Sequence, residues 1–298
     1  AMAAAAVPAE ADVARVLEVA VAAARKAGAR MAAALGTAAA AAAETKASAQ
    51  DLVTVVDKAC QDDIEGAVLD AFGAPGEGGS GHHLLGEESV AAGSAASTAA
   101  LDELLASEWL WVVDPIDGTT NFVQSAPLSV VSIGVAFRGE VVVGVIYDPY
   151  RNELFSAVRG QGAKLNGAPI SVSSESSLTE AYMMFGIHST ARVRDPMLKA
   201  VTALSPRLRA VRCLGSAALH MAWTSCGRCS GFWELDLNAW DLAAGALLVA
   251  EAGGRVTDTR RGAYSLSTRD IMATNGAGGI HDALLDELEA LSCDRPTP

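Results

Sequence analysis

Two aspartates follow a short apolar run in the stretch WVVDPIDGTTNF, which spans residues 111–122. Asp114 and Asp117 stand at the end of a predicted buried strand, where an unpaired carboxylate would be costly. The backbone N–H groups of Gly118 and Thr119 would begin a helix, and free N–H groups at a helix start attract anions. Mg²⁺ binds oxygen ligands such as carboxylates. The stretch therefore predicts a divalent-cation site beside a phosphate site, with a capped turn as the alternative.

Three further carboxylates are candidates for the same site. Glu87 lies in GEES, Asp241 lies in AWDLAAG, and Glu234 lies in FWEL, seven residues before Asp241. Each also has a plain structural explanation. Glu87 would be a solvated loop charge, Asp241 a capping residue in the first turn of a helix, and Glu234 a surface charge at a strand end. Taken one at a time, these residues leave both interpretations open.

The elements that must position these side chains come in mixed blocks. Alanine-rich sequence predicts a helix from Asp12 to about Ala43, and WLWVV predicts a buried strand. SVVSIGVAF and EVVVGVIYD predict a hairpin around Arg138 and Gly139. Helices and strands without strict alternation favour an α+β fold in layers. We expect a single unit over 1–298, with an N-terminal half (9–180) holding the cation site, a C-terminal half (181–295) holding substrate residues, and a flexible loop region at 73–100.

Four stretches occur in a fixed order along the chain. They are DLVTVVD at 51–57, GEES at 86–89, DPIDGTTNF at 114–122 and WDLAAGALLVAEAGG at 240–254. Together they resemble the motifs of the inositol monophosphatase family of magnesium-dependent, lithium-sensitive sugar phosphatases, and the match runs from about residue 46 to 254. The resemblance implies a layered α/β/α/β/α sandwich and a homodimer. It also implies hydrolysis of a phosphate monoester of inositol or a related sugar alcohol by metal-activated water.

The resemblance implies a role for each matching residue. Two to three Mg²⁺ ions are expected, with Mn²⁺ as a possible substitute and Li⁺ and Ca²⁺ as inhibitors. The metal ligands would be Glu87, Asp114, the carbonyl of Ile116, Asp117 and Asp241, with Asp114 bridging two ions. The catalytic residues around the attacking water would be Glu87, Thr119, Asp57 and Lys46. The substrate residues would be Gly118, Thr119, Gly215, Ser216, Ala217, Glu234 and Asp241.

Several alternatives to an inositol phosphatase remain at this point. Histidinol phosphate, L-galactose 1-phosphate, fructose bisphosphate and nucleotide 3′-phosphate are rival substrates within the same enzyme class. A different class is a non-catalytic dimeric regulator that kept the fold. The intact set of acidic residues favours an enzyme, because a regulator has no need to keep them together.

Composition limits the partners and the compartment. The formal net charge of −13 gives no general attraction to nucleic acid or to an anionic membrane, so the expected partner is a small sugar or inositol phosphate. Five cysteines at scattered positions favour a reducing compartment, which we predict to be the cytoplasm or the plastid stroma. Cys226 and Cys229 form a C-x-x-C pair, for which a regulatory disulfide and ordinary reduced thiols both stay open.

Overall fold

The computed structural model describes residues 8–45, 52–76 and 81–297, in alternating layers of helix and sheet. Its helices are α1 (Glu10–Ala34), α2 (Ala38–Ala41), α3 (Val55–Phe72), α4 (Ser94–Leu104), α5 (Thr119–Val123), α6 (Ala191–Leu204), α7 (Ala217–Ser225), α8 (Ala239–Glu251) and α9 (Ile280–Ala290). None of these helices combines the length and apolarity needed to cross a membrane.

A seven-stranded sheet forms the second layer. A separate antiparallel pair, β1 (Ala43–Thr45) and β2 (Leu52–Thr54), precedes this sheet in the chain. In chain order across the sheet, its strands are β3 (His82–Gly86), β4 (Trp109–Asp117), β5 (Val130–Phe137), β6 (Glu140–Asp148), β7 (Glu153–Val158), β8 (Ala163–Leu165) and β9 (Ala168–Pro169). The pair β3–β4 is parallel and the other neighbours are antiparallel. The central strands are buried along almost their whole length because helices cover both faces.

A five-stranded sheet forms the fourth layer, in the order β11-β10-β12-β14-β13. Its strands are β10 (Tyr182–Phe185), β11 (Ala210–Arg212), β12 (Gly231–Glu234), β13 (Arg255–Asp258) and β14 (Ile271–Thr274). Alternate residues of these strands point to opposite faces. Met183 and Trp233 pack with α6 and α9 on the outer face, whereas Met184 and Phe232 pack with α7 and α8 on the inner face.

The middle layer consists of α7 and α8, which contact both sheets, and α1 and α3 cover the outer face of the larger sheet. Contact between α8 and the larger sheet is close because two sheet positions are glycine. A Cβ built on Gly134 would lie 2.5 Å from the Cβ of Ala243, and one built on Gly144 would lie 2.7 Å from the carbonyl oxygen of Ala244. The predicted α+β fold and its α/β/α/β/α sandwich are confirmed.

Two local predictions differ from the structure. The first helix ends at Ala34 rather than near Ala43, and Gly36 (φ +76°) leads into the separate turn of α2. The predicted flexible loop at 73–100 is wrong for much of its length, because it contains β3 and the first turns of α4. The alanine-rich segment folds as a helix because Leu101 is buried with Leu85 and Leu110. The proposed division into halves near residue 180 stays a prediction.

Candidate active site

Asp114 and Asp117 lie at the carboxyl end of β4, where the pairing with β5 shifts register. Asp114 pairs with Ser132 and Asp117 pairs with Val130, so β4 contains one more residue than its partner between the two pairs. Such a bulge changes the direction in which the following side chains point. Both carboxylates are buried, with exposures of 2% and 8%. The bulge thus explains how aspartates three apart, which regular pleating would send to opposite faces, approach one another.

Asp241 joins this pair from the first turn of α8. One carboxylate oxygen each from Asp114, Asp117 and Asp241 lies within 4.8 Å of the others. Asp241 also caps its helix, because the backbone N–H of Asn238 donates to its Oδ2 at 2.7 Å. The capping role and the site role therefore coexist in one side chain, and the two interpretations left open by the sequence do not compete.

Glu87 reaches the cluster through the parallel pairing of β3 with β4. Gly86 at the end of β3 pairs with Val113, so Glu87 follows beside Asp114. A Cβ on Gly86 would overlap the amide of Gln61, and that amide accepts a hydrogen bond of 2.9 Å from the N–H of Glu88. Glu87 contributes to the raised pKa of Asp114 by charge repulsion and by a hydrogen bond between the two side chains.

The cluster has an unusual concentration of buried negative charge. Burial, and then repulsion from neighbouring carboxylates, raises the pKa values of Asp114 and Asp241 well above their ordinary range. Burial raises the pKa of Asp117 to about 6. Within the described residues, no lysine or arginine forms an ion pair with any of these three. A buried carboxylate that stays ionised without a cationic partner is costly, and an all-oxygen donor set fits a hard divalent cation.

Asp57 and Thr119 form a hydrogen-bonded pair beside the end of β4. Thr119 Oγ1 lies 3.1 Å from the carbonyl oxygen of Ile116 and 3.4 Å from Asp57 Oδ1, so its single proton has two candidate acceptors. Asp57 also belongs to the capping box of α3 with Thr54. Burial raises the pKa of Asp57 to about 6. Lys46, predicted near this network, lies outside the described residues.

The backbone near Gly118 touches the backbone near Gly215. Gly118 has φ +94°, and a Cβ there would lie 2.9 Å from the carbonyl oxygen of Leu128 and 3.2 Å from that of Gly215, so only glycine fits. Asn121 closes this junction, with its Nδ2 donating to Leu214 at 2.6 Å and to Leu128 at 2.9 Å. Sequence reasoning missed Asn121, although a polar residue inside the DGTTNF motif was a signal for it.

Ser216 has a contact that the sequence did not predict. Its Oγ donates to Asp117 Oδ2 at 2.6 Å, and the N–H of Ala218 donates to the same oxygen at 2.6 Å. Ser216 is also the N-cap of α7 and, like Ala217 after it, is buried. The hydroxyl therefore orients a carboxylate of the cluster, in addition to the predicted role of this segment beside the sugar.

Glu234 lies at the end of β12 and lines a cavity of about 880 Å³ that Glu87 and Trp240 also line. Its carboxylate packs over Gly186, where a Cβ would overlap it. Burial, together with repulsion from Asp241 and Asp117, raises its pKa well above the usual range. The structure therefore brings two of the predicted residues, Glu87 and Glu234, to the wall of one cavity.

Comparison with known proteins agrees with this geometry. The model of the inositol monophosphatase family matches residues 12–292. Inositol monophosphatase 3 of Solanum lycopersicum is 39% identical over 275 residues, which is 91% of this chain and 96% of that protein. Nus factor SuhB of Escherichia coli K12 is 39% identical over 260 residues, covering 87% and 91% of the two chains. The solved inositol monophosphatase of Thermotoga maritima superposes with a TM-score of 0.79 at 30% identity, covering 93% and 98%.

The layered fold and the buried carboxylate cluster, together with these matches, place the chain among the phosphoric monoester hydrolases. The chain belongs to the inositol monophosphatase family. The predicted family and the predicted enzyme class are thus confirmed.

Proposed function

We propose that the chain hydrolyses a phosphate monoester of inositol or a related sugar alcohol in a Mg²⁺-dependent reaction. The observation that carries this proposal is the cluster of Asp114, Asp117 and Asp241, the first two buried, whose oxygens lie within 4.8 Å of one another and which forms no ion pair with a lysine or arginine among the described residues. Glu87 and the carbonyl of Ile116 complete the proposed ligand set, and Asp114 would serve two ions.

Divalent ions held by these residues would supply a more acidic water and neutralise charge on the ester oxygens. Two to three Mg²⁺ ions per site agree with the number of carboxylates, with Mn²⁺ as a substitute and Li⁺ and Ca²⁺ as inhibitors. Mg²⁺ needs near-octahedral oxygen geometry at roughly 2.0–2.1 Å, whereas Ca²⁺ prefers roughly 2.3–2.6 Å. Since buried carboxylates cannot rearrange freely, we expect the larger ion to bind without supporting turnover.

The chain's own residues orient the water and the substrate. The hydroxyl of Thr119 would hydrogen-bond to the attacking water, and Asp57 would orient that hydroxyl. Glu87 would lie on the opposite side of the water. The N–H groups of Gly118 and Thr119 receive the phosphate, as free N–H groups at a helix start do. Lys46 retains its proposed place in the same network.

The alcohol half of the substrate meets Glu234 and the segment Gly215, Ser216 and Ala217. A buried carboxylate that accepts hydrogen bonds from ring hydroxyls discriminates against analogues lacking them, because such analogues leave it unpaired. Its burial at the cavity wall supports this role. A panel of inositol 1-phosphate, histidinol phosphate, L-galactose 1-phosphate, fructose bisphosphate and a nucleotide 3′-phosphate would rank the candidates. Inositol 1-phosphate as the poorest of these would reject the narrow form of the proposal.

The experiment that tests the proposal measures phosphate release from inositol 1-phosphate. We expect turnover with millimolar Mg²⁺ and none after chelation with EDTA, and we expect Mg²⁺ addition to restore the rate. Complete inactivity towards every ester of the panel, by folded protein with saturating Mg²⁺, would contradict it.

A non-catalytic regulator is the second candidate, since one relative of 39% identity is named a Nus factor. That outcome would follow from a folded, Mg²⁺-binding protein without turnover. We also propose a homodimer in a reducing compartment, cytoplasmic or in the plastid stroma. Sedimentation equilibrium tests the homodimer, and fractionation of cells tests the compartment.

A further inference from the structure

Three arginines, Arg192, Arg194 and Arg269, line the cavity that Glu87 and Glu234 also line. Glu87 and Glu234 interact electrostatically with the carboxylates of the cluster, so their charges belong to the metal end. The proposed function uses none of the three guanidinium groups. The question is which of them has hydrogen-bonding capacity left for a ligand.

Arg269 is fully engaged as a structural anchor. Its Nε donates to Asp236 Oδ1 at 2.9 Å, its Nη1 donates to Ser97 Oγ at 3.1 Å, and its Nη2 donates to the carbonyl oxygen of Asp236 at 3.3 Å. Every nitrogen of this guanidinium therefore has a partner. Arg194 places its Nε and Nη2 on Asp195, at 3.0 and 2.9 Å, and Asp195 does not line the cavity.

Arg192 differs from both. Its Nη2 donates to Asp236 Oδ2 at 2.9 Å, and the side chain remains 49% exposed. Within the part of the chain that the structure describes, its Nε and Nη1 have no hydrogen-bond partner. A guanidinium offers five N–H donors in a planar fork that matches carboxylate and phosphate oxygens. Arg192 therefore has donors to spare at the cavity wall.

Asp236 holds this guanidinium in place. It is 8% exposed, it adopts φ +59°, and Ser94 Oγ lies 3.1 Å from both of its carboxylate oxygens. Arg192 and Arg269 share this one carboxylate, so pairing with Asp236 leaves positive charge on the cavity wall. A group fixed in this way loses little conformational entropy when a ligand binds.

The cavity is large enough for a substrate that reaches this wall. Its volume of about 880 Å³ lies towards the upper end of the roughly 300–1,000 Å³ that small-molecule pockets occupy. Given hydrolysis at the metal end, on which this inference rests, we propose that Arg192 is an anion subsite. Among related sugar phosphate monoesters, those whose alcohol half carries a second negative charge, either a carboxylate or a second phosphate, are then preferred.

Three esters on one sugar ring test this assignment. Glucose 1-phosphate, glucuronic acid 1-phosphate and glucose 1,6-bisphosphate differ only in the group on C6, which is neutral in the first and anionic in the other two. We expect kcat/KM to be about tenfold higher for one or both anionic esters, equivalent to about 1.4 kcal/mol. The two anionic esters separate a carboxylate from a second phosphate.

Arg192→Gln is the diagnostic variant, and it should fold because the side chain is half exposed. The ratio of kcat/KM between the anionic and neutral esters should fall to about one. Arg207→Gln is the matched control, since Arg207 is 50% exposed, is paired with Glu287, and does not line this cavity. Its ratio should equal that of the unmodified enzyme.

Calorimetric binding of the same esters with Mg²⁺ gives a second readout that needs no turnover. Equal affinity for neutral and anionic esters, a preference that survives in Arg192→Gln, or an equal loss on all three esters would overturn the assignment. Failure to hydrolyse any ester, combined with preferential binding of the anionic ones through Arg192, would instead count against the proposed hydrolysis and leave the subsite supported.

Discussion

Gly186→Ala tests whether Glu234 recognises the alcohol half of the substrate. A Cβ built on Gly186 would lie at 2.0 Å or less from the carboxylate carbon and both oxygens of Glu234, whereas real Cβ contacts do not fall below 3.0 Å. The carboxylate must therefore move by at least 1 Å, because it is the flexible partner. A displacement of this size in a bound geometry lowers rates by up to about 10²-fold.

The assay compares two esters. We expect kcat/KM for inositol 1-phosphate to fall by about 10- to 100-fold, mainly through KM, while p-nitrophenyl phosphate, which has no ring hydroxyl, changes less than about twofold. Gly66→Ala is the matched control, because a Cβ there meets nothing within 4 Å in helix α3. Equal losses on both esters would point to damage at the metal cluster, and unchanged kinetics on both would refute the role of Glu234.

Three further predictions concern the carboxylate cluster. Ser216→Ala should raise the Mg²⁺ concentration needed for half-maximal activity by about 10- to 100-fold. Ser230→Ala, which also removes a buried hydroxyl bonded to a carboxylate, should leave that concentration unchanged. A titration of initial rate against Mg²⁺ measures both effects. Asp114→Asn should lower kcat/KM by about 10²-fold or more and raise the Tm in EDTA, because an amide avoids the cost of burying an ionisable carboxyl beside other carboxylates; near-normal turnover would contradict the bridging role. Burial raises the pKa values of Asp57 and Asp117 to about 6, so the metal-free folded state retains protons that the unfolded state releases above about pH 4. The retained protons stabilise the folded state; this contribution is complete below about pH 4 and is lost as pH rises through about 6. The Tm in EDTA should therefore increase as the pH is lowered from 7 to 5, and a Tm that decreases on this change would contradict the raised pKa values.

The sequence predicted best where the chemistry is local. Asp114, Asp117, Gly118 and Thr119 are nearly contiguous, and one motif fixes their neighbourhood. Glu87 required the resemblance, because only the parallel register of β3 and β4 places it beside Asp114. Helix α4 was missed because alanine- and serine-rich sequence has little apolar periodicity, and tertiary packing of a few side chains decides its structure.

Long-range contacts explain what the sequence could not reveal in the predicted C-terminal half. Asp236 accepts hydrogen bonds from Ser94, Arg192 and Arg269, which lie 142, 44 and 33 positions away along the chain. No spacing rule connects such partners. Ser216 was placed beside the sugar for its position in a motif, and only the fold shows that its hydroxyl is bonded to Asp117.

Close packing of α8 on the larger sheet affects the size of the cation that the proposed metal site would hold. Asp241 lies in the first turn of that helix. Gly134 on β5 and Gly144 on β6 set how near the following residues, Ala243 and Ala244, approach the larger sheet. Mg²⁺–oxygen and Ca²⁺–oxygen distances differ by only about 0.4 Å, whereas a Cβ on Gly134 at 2.5 Å from the Cβ of Ala243 would have to move by at least 0.5 Å to reach the 3.0 Å limit of real Cβ contacts. We therefore expect buried Gly134, which has no polar side-chain atom, to influence the cation size that the proposed site accepts, so that a substitution there would alter metal preference while every proposed coordinating atom is kept.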